Sequence, residues 1–148
     1  MTITLREITE ANWRQVARLK LAEGQEHFVA PNWYSMLEAL HSGGNLHSRA
    51  IYDDDRLIGY TMFGFDPKTN ESWIVRLMTD KDQQRKGYGR TAMSLIIDQL
   101  KQMYASKEIL ISFEPTNNVA RALYEKIGFR DTGRIEDGEL VFGLKIDA

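Results

Sequence analysis

The spacing of apolar residues changes period several times along the chain. Ile3, Leu5 and Ile8, set among Thr2, Thr4 and Arg6, read as a half-buried first strand. Thr9 is placed to cap a helix with Trp13, Val16, Ala17 and Leu21 on one face, ending at Gly24. A second helix begins near Asn32, carries Trp33, Met36, Leu37 and Leu40 toward the interior, and stops at Gly43-Gly44. Strands over 49–52 and 57–65 flank the acidic turn Asp53-Asp54-Asp55-Arg56, and Asp66-Pro67-Lys68-Thr69-Asn70 turns the chain into Trp73-Ile74-Val75-Arg76-Leu77-Met78-Thr79. These three strands form an antiparallel meander. Beyond Gly87-Tyr88-Gly89, the recurrence of Met93, Ile96, Ile97, Leu100, Met103 and Tyr104 predicts a helix packed on the sheet. The short apolar run 109–113 reads as a buried strand, and the intervening helix makes it parallel to strand 73–79 by a right-handed crossover. A last helix over 117–126 ends at Gly128, and strands over 129–133 and 140–146, joined through Glu136-Asp137-Gly138, close the chain.

The pattern predicts one mixed α/β domain over 1–148, with a central sheet of about seven strands and about four helices. A hydrophobic fraction of 43% and a charged fraction of 27% suit a globular protein able to bury its own core. The absence of cysteine excludes thiol nucleophiles, cysteine metal sites and disulfide scaffolds. A net charge of −2 gives no basic field for nucleic acid, and no apolar run approaches membrane-spanning length. With no charged leader, the expected location is cytoplasmic. His27, His41 and His47 have no metal-ligand spacing, so no metal is expected.

Chemistry concentrates at the glycine turn. Helix N-termini leave several backbone N–H groups without internal partners and carry partial positive charge, so glycines there let a phosphate approach the main chain. Arg85, Lys86 and Arg90 add full charges to the turn, which points to a pyrophosphate site. Gly87-Tyr88-Gly89-Arg90-Thr91-Ala92 also fits the loose dinucleotide pattern G-x-G-x-x-G/A, but polar residues separate it from the preceding strand and that strand lies in an antiparallel meander. The Lys-Ser or Lys-Thr of a phosphate-binding P-loop is missing. A purely structural turn is the remaining plain reading.

Gln84-Arg85-Lys86-Gly87-Tyr88-Gly89 resembles the R/Q-x-x-G-x-G/A motif of the GNAT superfamily of acetyl-CoA-dependent N-acetyltransferases. Downstream, 117–129 resembles that family's second motif, N-x-x-A-x-x-x-Y-x-x-x-G-F, with Asn117, Ala120, Tyr124, Gly128 and Phe129 in the matching places. Element order agrees along nearly the whole chain. The resemblance implies the GNAT fold, with acetyl-CoA as co-substrate and a splayed pair of parallel strands. It implies that Gln84, Arg85, Lys86, Gly87, Tyr88, Gly89 and Arg90 hold the pyrophosphate, and that Leu77, Met78 and Thr79 present backbone groups to the pantetheine arm. Asn117, Ala120 and Lys126 would line the coenzyme, the Met78 N–H would polarise the thioester carbonyl, and Tyr124 would act as the acid at the sulfur. Taken without the motif, Tyr124 is an amphipathic seal between helix and sheet, and Asn117 is a helix cap.

The general base is not evident. The position aligned with an acidic residue of polyamine-acetylating members is Val75, with Arg76 beside it, which leaves Glu26, Glu71, Glu114 or an ordered water chain; Glu114 is favoured for its place after the buried strand. The segment 25–32, Arg76-Leu77-Met78 and Asp137-Gly138-Glu139 resemble the bacterial diamine and polyamine acetyltransferase subgroup. A small-molecule amine, either a diamine or a polyamine, is then the expected acceptor. Glu26, His27, Phe28 and Trp33 are its candidate contacts, since ammonium groups pair with carboxylates and sit over aromatic faces. Trp33 as a core residue is the plain alternative. Other acceptors, including protein or peptide amines, stay open, as does a non-catalytic acetyl-CoA sensor. Family members commonly form dimers, and no stretch of this sequence marks an interface.

Overall fold

The computed structural model describes residues 2–21, 30–83 and 86–146. Seven strands form one sheet: β1 (Ile3–Glu7), β2 (Leu46–Asp53), β3 (Arg56–Asp66), β4 (Glu71–Thr79), β5 (Glu108–Phe113), β6 (Arg130–Glu136) and β7 (Glu139–Lys145). Four helices accompany them: α1 (Trp13–Ala17), α2 (Asn32–Leu40), α3 (Tyr88–Tyr104) and α4 (Asn118–Ile127). The sheet order is β1-β2-β3-β4-β5-β7-β6. All neighbours are antiparallel except β4 and β5, which are parallel, as a right-handed crossover through α3 requires.

The β4–β5 pairing is short. Ser72, Trp73 and Ile74 pair with Ile109, Leu110 and Ile111, and no pairing continues along the rest of either strand. Beside the last pair, β4 carries a bulge on its β3 side. Met62 opposes Arg76 while Phe63 opposes Ile74, which leaves Val75 as the extra residue. Past this bulge the two strands part.

Two main clusters cover the faces of the sheet. On one, α3 and α4 bring Met93, Ile96, Leu100 and Tyr124 against Ile74, Ile111, Phe113 and Phe142. On the other, Val16 and Met36 from the α1–α2 side meet Tyr60, Met62 and Met78. At an order of 2 kcal/mol for each large aliphatic or aromatic side chain fully buried, these clusters account for most of what holds the domain together.

The first two helices differ from the sequence expectation. α1 begins after Asn12 and ends at Ala17, and Trp13 is exposed. In α2 the buried residues are Asn32 and Ser35, while Trp33, Leu37 and Leu40 are exposed, Leu40 at 74%. Trp33 is therefore not a core residue. The periodicity misled because the inward face of α2 carries the small polar residues Asn32 and Ser35, and Asn32 is tied into hydrogen bonds. Asn32 Nδ2 donates to the Val16 carbonyl at 3.0 Å, and its Oδ1 accepts from Arg76. Met103 of α3 is also exposed.

Candidate active site

The parted ends of β4 and β5 open a cleft of about 700 Å³ that runs to the start of α3 and along α4. At one end lies the glycine turn. Gly87 caps α3 with φ of +81°, a left-handed conformation that side chains other than glycine resist. Beyond it the first-turn N–H groups have no acceptor within the helix and face the cleft mouth. Gly89 and Arg90 line this end, Lys126 approaches from α4, and Lys86 sits in the turn with its ammonium on Gln83 Oε1 at 3.3 Å. Cationic side chains around free main-chain donors fit a linked pair of phosphates.

Tyr88 has a different role from its neighbours. Its hydroxyl donates to Asp53 Oδ2 at 2.7 Å, and Arg56 donates to both at 3.1 Å. The Tyr88 hydroxyl and the Arg56 guanidinium together hold the Asp53 carboxyl below its usual range. The Tyr88 side chain thus ties the turn to the β2–β3 hairpin and leaves ligand contact there to the main chain.

Midway, Asn117 caps α4 by accepting from the Ala120 N–H at 3.2 Å, and Asn117 and Ala120 both line the cleft. The helix carries Tyr124 inward, where it packs edge-on to Phe113 at 5.5 Å and tilted against Phe129 at 6.0 Å. Tyr124 is 8% exposed. Among the described residues its hydroxyl has no hydrogen-bond partner. Burial pushes its pKa up to about 12; the Arg76 charge opposes that rise and the Glu139 charge adds to it.

The main chain of β4 faces two ways. Asp80 donates its N–H to the Ile58 carbonyl on β3, so strand alternation turns the peptide groups of Met78 and Arg76 toward β3 as well. Those of Leu77 and Thr79 lie on the side of the gap. This corrects the assignment of the Met78 N–H as a donor into the cleft: Leu77 supplies that position. The Met78 side chain lies in the cluster on the α1–α2 side.

Of the expected carboxylates, Glu114 follows β5 half-buried but does not line the cleft, and Glu71 is taken by Arg134 at 2.7 Å. Glu139, at the start of β7, accepts from Ser112 Oγ at 2.8 Å, and Ser112 lines the cleft. Glu139 is the carboxylate whose field reaches Tyr124. Sequence reasoning missed it as a chemical group, because only the β5–β7 register brings the closing hairpin against the end of β5. Trp33 is exposed on α2 and does not line the cleft. Glu26, His27, Phe28, Gln84 and Arg85 lie outside the described residues. Among the described residues, no group of His, Cys, Asp and Glu side chains is arranged to hold a metal, and no helix is long and apolar enough to cross a membrane.

Residues 5–129 match the model of the acetyltransferase (GNAT) family. The chain belongs to the GNAT family. A GNAT acetyltransferase is an acyltransferase, and the parted strands, glycine turn and buried tyrosine are features of this fold in the present chain. It is 26% identical over 148 residues to the spermine/spermidine N(1)-acetyltransferase of Bacillus subtilis (strain 168), covering 95% of this chain and 97% of that one. It has the same identity and coverage with a probable spermine N(1)-acetyltransferase of B. subtilis subsp. natto. Among solved structures, the spermidine N-acetyltransferase of Vibrio cholerae in complex with CoA and spermine superposes with a TM-score of 0.76, at 17% identity, covering 97% of this chain and 95% of that one.

Proposed function

We propose that this GNAT protein transfers the acetyl group of acetyl-CoA to a primary amine, with diamines and polyamines as the first class of acceptor. The observation that carries the reading is the unpartnered Tyr124 hydroxyl at the point where β4 and β5 part, in a cleft that continues to the free amides of the glycine turn. The acceptor class is supported by the activity for which the two Bacillus relatives are named and by the spermine in the Vibrio structure.

Acetyl-CoA supplies the acetyl thioester: the acceptor nitrogen forms a bond to the carbonyl carbon, the carbon–sulfur bond breaks and the sulfur leaves with the electron pair. The N–H groups of 86–90, with Lys86, Arg90 and Lys126, are suited to grip the pyrophosphate. Leu77 and Thr79 offer main-chain groups to the pantetheine arm, and the Leu77 N–H is suited to the carbonyl oxygen as charge builds there. Asn117 has its Oδ1 engaged as a cap, which leaves its Nδ2 for the ligand.

Tyr124 is suited to donate a hydrogen bond to the departing sulfur. With its pKa near 12 against about 8.5 for a thiol, complete proton transfer would be uphill by on the order of 5 kcal/mol. Its hydroxyl therefore stabilises the developing thiolate and keeps its proton. The acceptor needs the opposite service. An alkyl ammonium with a pKa of about 10.4 is neutral in roughly one molecule in a few thousand at pH 7, so a base must take its proton. Glu139, held by Ser112 and acting on Tyr124 from beside the cleft, is the carboxylate best suited among the described residues.

The test is thiol release from acetyl-CoA with putrescine, spermidine, spermine and a panel of other amines. Amine-dependent release supports the reading. Tight coenzyme binding with no release for any amine would favour a sensor of acetyl-CoA.

A further inference from the structure

Arg76 is a buried cation whose hydrogen bonds are incomplete. It lies on β4 just past the bulge, is 6% exposed and lines the cleft. Nη2 donates to Asn32 Oδ1 at 3.0 Å, while among the described residues Nε and Nη1 have no partner. Asn32 is itself 3% exposed and anchored to the Val16 carbonyl at 3.0 Å, so the guanidinium is held from behind in one orientation. Buried N–H groups are normally satisfied, and leaving one unpaired is costly, more so when it carries charge. Burial lowers the Arg76 pKa to about 10, which still leaves it protonated at neutral pH. The fold therefore maintains two oriented donors on a full positive charge with no acceptor among the described residues.

The surroundings define what would receive them. The charged side chains lining the cleft among the described residues are Arg76, Arg90 and Lys126, and no carboxylate joins them. Arg90 and Lys126 stand toward the phosphate end. Arg76 stands apart on the α1–α2 side of the sheet, where Asn32 holds it and Met78 packs beside Tyr60. Its field is felt at Tyr124, which puts it near the point of transfer. Guanidinium groups pair with carboxylates through charge-assisted N–H···O bonds, and Arg76 keeps donors on Nε and Nη1 that no described residue receives.

We propose that Arg76 forms a carboxylate-binding subsite on the acceptor side of the cleft, so that the acceptors include primary amines carrying a carboxylate a few bonds from the nitrogen. The inference rests on the acetyltransferase reading and extends its acceptor class beyond diamines and polyamines. A second ammonium at that position would face the guanidinium across a poorly solvated gap, so a short diamine binds less well than the amino acid of matching length. Bond making and breaking are those of the parent reaction. The amine nitrogen gains the acetyl carbon, the sulfur leaves with its electron pair, and the carboxylate is untouched.

The experiment compares matched series at neutral pH: glycine, β-alanine, 4-aminobutyrate and 5-aminopentanoate against ethylenediamine, 1,3-diaminopropane, putrescine and cadaverine. Thiol release is measured for the wild-type protein, Arg76→Met and Arg76→Lys. At one chain length or more, the amino acid is expected to have kcat/KM at least tenfold above that of its diamine. Arg76→Met should remove this advantage through KM, and Arg76→Lys should restore part of it. Calorimetric titration with CoA checks that each variant keeps the fold and the coenzyme end of the cleft. Heat denaturation of the CoA-loaded proteins gives a readout that needs no turnover: the amino acids should raise Tm of the wild type and not of Arg76→Met. Diamines preferred at every length, with the preference unchanged in Arg76→Met, would overturn the subsite while leaving the acetyltransferase intact. So would a silent panel with no amino-acid-dependent rise in Tm. Loss of all turnover with a rise in Tm confined to the wild type would support the subsite and count against the acetyltransferase.

Discussion

Tyr88, the first residue of α3, donates its hydroxyl hydrogen to Asp53 Oδ2 on β2 at 2.7 Å. Through this bond and the Arg56 contacts, the start of α3 is fixed to the β2–β3 hairpin. Asp53 is held below its usual pKa, so its contribution to stability is present above the ordinary aspartate range and fades as pH falls through the depressed value. Tyr88→Phe and Asp53→Asn should each lower Tm by on the order of a few degrees at pH 7. The gap between wild type and Asp53→Asn should close below about pH 4, as the wild-type carboxylate takes up its proton. Calorimetric melts across pH check both.

Tyr124→Phe keeps the ring contacts with Phe113 and Phe129 and removes only the hydroxyl. Turnover should fall roughly 100-fold, the size expected for one donor to a developing anion, while the Kd for acetyl-CoA changes little. Burial holds the wild-type hydroxyl protonated up to about pH 12. The pH profile of kcat/KM should therefore rise with deprotonation of the amine and show no descending limb from Tyr124 below about pH 11. Initial rates against pH for both proteins decide this.

Glu139→Gln should reduce turnover by roughly 100-fold or more if the carboxylate takes the acceptor's proton. Glu114→Gln, altering a side chain that neither lines the cleft nor, among the described residues, bonds to a side chain that does, should change it less than about twofold. Rates at saturating acetyl-CoA, measured side by side, distinguish the two residues.

Gly87 sits at a positive φ with open space around it, so Gly87→Ala should cost about 1–2 kcal/mol through backbone strain alone. Gly89 faces the cleft from the first turn of α3, where an added Cβ would already stand 3.4 Å from Leu123 Cδ2. Gly89→Trp should abolish coenzyme binding by filling the phosphate end. Calorimetric titration with CoA and urea melts separate the two effects.

The fold was legible in the sequence wherever one apolar period governed an element. β3, β4, α3 and β5 follow alternation, a helical stripe or a short apolar run, and the crossover rule supplied the parallel pair. α2 was misread because its buried residues are Asn32 and Ser35, and the place of Asn32 inside depends on partners contributed by α1 and β4. The glycine turn, Asn117 and Tyr124, which line the cleft, stand out from local motifs of fixed spacing. Arg76, Glu139 and the Leu77 amide could not be assigned that way. The roles proposed for them depend on the Val75 bulge, the strand registers and the parting of β4 from β5, all of which are long-range pairings.

The decisive measurement is a crystal structure with CoA. The account predicts the pyrophosphate within hydrogen-bonding distance of the main-chain N–H groups of 86–90, the pantetheine arm alongside Leu77 and Thr79, and the sulfur next to the Tyr124 hydroxyl. Phosphates resting elsewhere, or a sulfur remote from Tyr124, would contradict it.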